Sequence, residues 1–253
     1  MTPFFELVVP CFNEALSLQS LIQETVKAAQ NEGLQPENFQ LVLVNNGSSD
    51  DSLQTFHKLQ NTSLSKWFRL IHLEKNQGYG GGILAGLKKT TAPWVGFFHA
   101  DLQCPPQFVF QAFQVAKKRP GKVLVRGQRR KRTWLEIGVS RAYEFCVGIT
   151  WRFWRYEINA QPKVFSRDLI QYLEEAPTGI PFDAFVLLKA KQKGFAEKTI
   201  QVEVAPRALG ESHWATGFTK RLKTFWKVFC ELKKSKIKVL SPLKSFEENV
   251  FSQ

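Results

Sequence analysis

Through the first hundred residues, short apolar runs alternate with longer stretches of helical periodicity. Residues 4–10 read as a buried strand, because a nearly continuous apolar run of that length suits a sheet covered on both faces. From Glu14 to about Gln30, Leu18, Leu21, Ile22 and Val26 share one face, which predicts an amphipathic helix with Asn13 as its N-cap. Residues 39–44, 68–73 and 94–98 predict three further strands, with helices over 49–60 and 82–89. This βαβα rhythm implies a mostly parallel central sheet with helices on both faces.

After Gly121 the rhythm changes. A strand over 122–125 runs into the basic segment Arg126-Gly-Gln-Arg-Arg-Lys-Arg132, whose Arg126, Arg129, Arg130 and Arg132 suit either a cationic patch for an anionic acceptor or a solvated basic loop. An aromatic-rich helical stretch over 134–156 follows, with Trp151, Phe153 and Trp154. Residues 159–166 and 195–204 predict strands around a helix over 182–193. No internal repeat and no Gly/Ser linker divides the chain. It reads as one domain over 1–215 with a basic amphipathic helical tail over 216–253. In that tail Phe218, Leu222, Phe225, Trp226, Phe229 and Leu232 form an apolar stripe, beside Lys220, Arg221, Lys223, Lys227, Lys233 and Lys234. A helix of that kind suits a headgroup layer. Packing against the domain core or a partner protein is the other use of such a stripe.

Ligands of parallel α/β sheets collect beyond the carboxyl ends of the strands. Three polar clusters fall there: Pro10-Cys-Phe-Asn-Glu14, Asn45-Asn-Gly-Ser-Ser-Asp50 and His99-Ala-Asp-Leu-Gln103. Each alone suits a turn or a cap. Three on one edge predict a shared site.

Length and charge sharpen this picture. The 253 residues suffice for one sizeable core, and a formal net charge of +13 favours anionic partners: phospholipid headgroups, phosphorylated substrates or nucleic acid. The basic residues concentrate after Gly121 without a nucleic-acid-binding motif, which argues against nucleic acid. Four scattered cysteines without a CxxC pair argue against a zinc site or a disulfide framework and fit a reducing compartment. The N-terminus lacks the pattern of a secretory signal, and no apolar stretch approaches the ~20 residues of a membrane span. The expectation is a peripheral protein at the cytoplasmic face of a membrane. Gly80-Gly-Gly82-Ile-Leu-Ala85 fits a dinucleotide fingerprint, but at the third strand rather than the first, and it leaves the other clusters unexplained.

The chain resembles the family 2 glycosyltransferases of GT-A fold, especially those acting on polyprenyl phosphates. The resemblance runs from about Leu7 to Trp214. It rests on Val-Val-Pro-Cys-Phe-Asn-Glu, Asn-Asn-Gly-Ser-Ser-Asp, Asn76-Gln-Gly-Tyr-Gly, Ala-Asp-Leu-Gln-Cys-Pro-Pro106, Gln161-Pro-Lys-Val-Phe and Arg207-Ala-Leu-Gly-Glu-Ser212. It implies an inverting hexose transfer from a nucleotide diphosphate sugar to a lipid-linked or glycan acceptor. Pro10, Phe12, Asn13, Glu14, Asn46, Asp50, Gly78, Ala100 and Asp101 would then surround the donor. Asp101 and Gln103 would hold a divalent metal, Mn²⁺ or Mg²⁺, on the diphosphate. Relatives carry an acidic residue where this chain has His99, whose imidazole suits Mn²⁺ better than Mg²⁺ or else contacts phosphate directly. Arg207 would clamp phosphate, and Asp183 would act as general base for a hydroxyl acceptor, whereas a phosphate acceptor is already ionised. Many relatives continue into transmembrane helices, so a separate membrane protein partner is also implied. The substitution at His99 motivates an alternative, a catalytically weakened relative that binds nucleotide sugar within a membrane glycosylation complex.

Overall fold

The computed structural model describes residues 3–119, 121–204 and 226–235. Seven strands alternate with six helices in the order β1 (Phe5–Cys11), α1 (Leu18–Asn31), β2 (Phe39–Asn46), α2 (Ser52–Gln60), β3 (Phe68–Leu73), α3 (Gly78–Leu87), β4 (Trp94–Phe97), α4 (Gln107–Lys117), β5 (Val123–Arg130), α5 (Trp134–Trp151), β6 (Lys163–Ser166), α6 (Phe182–Gln192) and β7 (Ala196–Glu203). A further helix, α7, covers residues 226–235. The strands form one sheet in the order β3-β2-β1-β4-β6-β5-β7. Only β6 runs against the rest, antiparallel to both β4 and β5.

Side chains alternate across this sheet as the pleat requires. Along β1, Val8 joins a core with Val42, Val44, Ile83, Phe97, Phe182 and Phe185. Leu7 and Val9 face the opposite core, with Leu21, Ile22, Phe56, Phe110 and Phe113. Both faces are covered, which is why the strand reads as an unbroken apolar run. The chain steps outward from β1 to β2 to β3, then returns to lay β4 on the other side of β1. In open sheets of this kind such a reversal is where the ligand crevice forms, beyond the carboxyl ends of β1 and β4.

Several elements differ from their sequence pattern, each for a tertiary reason. The helix expected from Glu14 begins at Leu18, with Ser17 at its N-cap position. Asn13 has a left-handed φ of 57°, and the next two backbone N–H groups are claimed by β2-loop side chains instead of by a helix. The basic run 126–130 is not a loop: it is the second half of β5, paired in register with β7. Helix α4, rich in phenylalanine, had no counterpart in the sequence reading. In the tail, Leu232 is buried and Phe229 packs on the same core as α6, while Trp226 is exposed. Of the described part of that stripe, Phe229 and Leu232 serve the core and Trp226 does not; Phe218, Leu222 and Phe225 lie outside the described residues. Among the described residues no helix is long and apolar enough to cross a membrane.

Candidate active site at the carboxyl edge of the sheet

The loops after β1 and β2 are tied together by the short polar side chains of the second cluster. Asn13 N–H donates to Ser48 Oγ at 3.0 Å, and Asn13 Oδ1 accepts from Ser49 N–H at 2.9 Å. Glu14 N–H donates to Ser52 Oγ at 3.0 Å, and Ala15 N–H to Asp50 Oδ2 at 3.1 Å. The other Asp50 oxygen accepts from Ser52 N–H and Oγ at 3.0 and 2.5 Å. Burial alone would raise the Asp50 carboxyl, but these hydrogen bonds outweigh it and hold the group below its ordinary value. Asp50 thus acts as a clamp between two loops. The β1 loop is left with a defined shape, in which Phe12 stands exposed at the rim.

Asn46 ends β2 almost wholly buried, with its amide directed at the next loop. Its Oδ1 accepts from Gln77 N–H at 3.0 Å, and its Nδ2 donates to Gly78 O at 3.0 Å. Gly78 opens α3 at φ 80°, where a Cβ would meet Thr178 O at 2.5 Å. The start of α3 therefore packs directly on the segment leading into α6, and Gly81 N–H donates to Thr178 O at 3.0 Å.

Beyond β4, Ala100 is buried, Leu102 adopts φ 55°, and Gln103 N–H folds back onto Asp101 Oδ1 at 3.2 Å. This turn presents half-buried Asp101 and Gln103 beside the crevice. His99 lies at the root of a buried polar chain. Lys163, at the start of β6, is ion-paired with Asp183 of α6, and both are almost wholly buried. Gln161 Nε2 donates to Asp183 Oδ1 at 3.1 Å and to the Tyr79 hydroxyl at 3.2 Å. The Tyr79 oxygen lies 2.9 Å from His99 Nε2.

The direction of the first bonds in this chain follows from its charged end. Lys163 has only protons to offer, so Asp183 accepts. The Gln161 amide must turn its nitrogen toward that carboxylate and therefore also donates to Tyr79. The tyrosine hydrogen faces both His99 Nε2 and the Asp183 carboxylate, which also bonds the Tyr79 hydroxyl. Burial raises the Tyr79 hydroxyl well above its ordinary value, so the hydrogen stays on it. Burial likewise lowers His99, against the pull of the Asp101 and Asp183 carboxylates. Nε2 of His99 is occupied by the Tyr79 hydroxyl, as acceptor in one tautomer and as donor in the other. Its Nδ1 is a hydrogen-bond donor in the first tautomer and a bare nitrogen able to meet a metal in the second.

A metal's fit can be judged from the donor set. Among the described residues, no three His, Cys, Asp or Glu side chains converge as ligands. One carboxylate and one amide oxygen, Asp101 and Gln103, suit a hard cation that takes its remaining ligands from a diphosphate and water. His99 does not join that set through Nε2, which is engaged by Tyr79. The cysteines are free, and burial pushes the Cys104 thiol up to about 12, so it is inert.

Two other groups of expected site residues are engaged by structural partners. Arg126 pairs with Glu197 at 2.7 Å, and Arg129 and Arg132 grip Glu157 at 2.6 and 2.7 Å. Three members of the expected cationic patch thus hold structure together, and Arg130 alone is exposed. Asp183 is 1% exposed and turned to Lys163 and Gln161. Arg207 lies outside the described residues. Tyr79 and Lys163 had been given no role from sequence, although both fall within the short motifs around Gly78 and Gln161.

Comparison with known proteins adds the family. The profile of "Glycosyl transferase family 2" matches residues 6–183. An undecaprenyl-phosphate 4-deoxy-4-formamido-L-arabinose transferase of Proteus mirabilis is 26% identical over 240 residues, spanning 93% of this chain and 69% of the relative. One of the same name from Sodalis glossinidius is 27% identical, over 83% of this chain and 62% of its own length. Among solved structures, the glucosyl-3-phosphoglycerate synthase of Mycobacterium tuberculosis, bound to Mn²⁺, uridine diphosphate and glucosyl-3-phosphoglycerate, aligns with a TM-score of 0.68 at 15% identity. That alignment spans 94% of this chain and 80% of the synthase. A mannosyltransferase from Pyrobaculum calidifontis with GDP-Man and Mn²⁺ gives 0.58 at 18% identity, over 82% of this chain and 59% of its own. At these identities the structural likeness establishes the GT-A fold.

Proposed function

The chain belongs to glycosyl transferase family 2, and from that premise we propose that it moves a hexose from a nucleoside diphosphate sugar to a polyprenyl phosphate at a membrane surface. The observation that supports the reading is the strand order, which reverses at β1 between the tied β1 and β2 loops and the Asp101 turn that follows β4. Pro10, Phe12, Asn13 and Glu14 would line the nucleoside side, Phe12 offering an exposed ring for the base. Asn46, Asp50 and Gly78 would act beneath them as positioning residues, since their polar groups are spent on neighbouring loops.

The acceptor oxygen attacks the anomeric carbon from the side opposite the diphosphate. One carbon–oxygen bond forms as the other breaks, and the configuration inverts. Asp101 and the Gln103 amide oxygen would hold Mn²⁺ or Mg²⁺ against the departing diphosphate, supplying positive charge to it. His99, in the tautomer that carries its proton on Nδ1, would donate it to a phosphate oxygen, and Arg207 would contribute a guanidinium from its loop.

A phosphate acceptor is favoured over a sugar hydroxyl by the placement of Asp183. A general base needs an open oxygen beside the nucleophile, and Asp183 is buried against Lys163. An ionised phosphate needs no base. The polyprenyl-phosphate names of the relatives support the same acceptor. Net charge +13 and free cysteines support a peripheral place on the cytoplasmic face. The catalytic unit would be 1–215, with 216–253 as its appendage. Incubation with a panel of labelled UDP- and GDP-sugars and a short polyprenyl phosphate tests the reading. Label in the organic phase is expected with one donor; label only on glycan acceptors would overturn the acceptor assignment.

A further inference from the structure

Helix α7 packs on the face of the sheet that α5 and α6 cover. Val228 and Leu232 are buried there, Phe229 rests on the same core, and Trp151 Nε1 of α5 donates to Leu232 O at 2.9 Å. Between these anchors the helix turns a carboxyl inward. Glu231 Oε2 is buried and has no hydrogen-bond partner among the described residues. Burial raises this carboxyl above its ordinary value, against the pull of Lys227 and Lys234 on the same helix. A buried polar atom without a partner costs stability, so its presence calls for a reason other than core packing.

The reason lies in what the carboxyl touches. A Cβ built on Gly179 would stand 2.7 Å from Glu231 Cδ and closer still to Oε2, so the carboxyl occupies the space that this glycine leaves open. Gly179 belongs to the short segment 177–180, on which α3 rests. Gly81 N–H donates to Thr178 O at 3.0 Å. A Cβ on Gly80 would meet Phe182 Cβ at 2.5 Å and Pro177 O at 2.6 Å, so the backbone of α3 lies directly on this segment and on the start of α6.

The same turn of α3 carries Tyr79, whose hydroxyl holds His99 Nε2. Tyr143 of α5 stands between the two ends of this arrangement. Its buried hydroxyl has no partner among the described residues, and it feels the charges of both Asp183 and Glu231. The Tyr79 hydroxyl in turn feels Tyr143 and Asp101. A side chain on α7 is thereby linked, through one loop and one helix start, to the edge where Asp101 lies.

We propose that Glu231 is a positioning residue for the donor site: its carboxyl wedges the 177–180 segment against the first turn of α3 and so sets the place of Tyr79 and His99. The inference rests on the proposed function only for which reaction that edge serves. Burial disfavours the charged form and Oε2 is unpartnered, so the wedge acts by its shape. Glu231→Gln keeps that shape, and Glu231→Ala removes it. Gly179→Ala evicts the carboxyl by filling its space. In Gly179→Ala/Glu231→Ala the new methyl group takes over part of the space that the truncation leaves.

Imidazole NMR of the four histidines reads the Tyr79–His99 contact, with Tyr79→Phe as the reference for its loss. Glu231→Ala and Gly179→Ala should each move the His99 ring signals toward those of Tyr79→Phe and lower kcat about tenfold. The donor KM should hold, because the nucleoside side is built by the β1 and β2 loops. Glu231→Gln should keep the signals and most of the turnover, and the double variant should lie nearer the unaltered chain than either single one. Unmoved His99 signals in Glu231→Ala would overturn the proposal, as would unchanged kcat or simple additivity in the pair. Lower stability with His99 in place would make Glu231 an ordinary packing residue and overturn it equally. Absence of transfer by the unaltered chain would remove the proposed reaction instead, while the ring signals still decide what Glu231 does.

Discussion

At the scale of single residues, the site depends on a hydrogen-bond chain that begins at a buried ammonium. Lys163 fixes Asp183, Asp183 orients Gln161, Gln161 donates to Tyr79, and Tyr79 holds His99 Nε2. Tyr79→Phe removes the central link and leaves His99 Nε2 without its hydrogen-bond partner. It should cost about 1–3 kcal/mol in urea unfolding and slow sugar transfer. Unchanged stability and turnover would show that the chain of bonds is idle. Lys163→Met strands a buried carboxylate and should cost about 3–5 kcal/mol, whereas Lys163→Met/Asp183→Leu should recover much of that loss. Simple additivity in that cycle would contradict the coupling. The turn that joins Asp101 and Gln103 was legible in the sequence because it is local, two residues across. The partner of His99 was not: Tyr79 is twenty residues away, and the bond between them exists only because β4 and α3 share an edge.

At the scale of elements, the strands were readable because both faces of the sheet are covered, and burial on both faces leaves an apolar run. Their ends were less so. Local capping chemistry pointed to Asn13 as the start of α1, but Ser52 and Asp50, almost forty residues on, take the N–H groups that such a helix start would have used. The basic run of β5 looked solvated because its carboxylate partner Glu197 lies on β7. Glu157 carries the same lesson for α5. Burial pushes its carboxyl up, yet the hydrogen bonds and charges of Arg129 and Arg132 hold it below its ordinary value of 4.5. The folded protein thus binds that proton less readily than the unfolded chain. The pair's contribution is complete above about pH 4.5 and drains away as pH falls through the folded value. Glu157→Gln should destabilise the protein by about 3 kcal/mol at pH 7 and flatten the acid limb of the stability curve. A denaturation series from pH 7 to pH 3 reads both, and an acid limb identical to that of the unaltered protein would rule out this role.

At the scale of the whole molecule, strand order gathers the chemistry. The order reverses at β1, the β2 loop braces the β1 loop beside it, and the chain between β5 and β6 departs from the same edge. The three polar clusters disclosed this edge from sequence alone, since parallel strands must end together. The fate of the tail stripe was not disclosed: helical spacing is the same whether Leu232 faces a bilayer or, as here, the core. The decisive measurement is transfer of labelled hexose to a polyprenyl phosphate by the unaltered chain and by Asp101→Ala, compared at equal nucleotide saturation. If the crevice between β1 and β4 is where the diphosphate departs, the variant should keep its circular dichroism and lose about a hundredfold or more of its turnover. Full turnover in Asp101→Ala would place the reaction elsewhere on the protein.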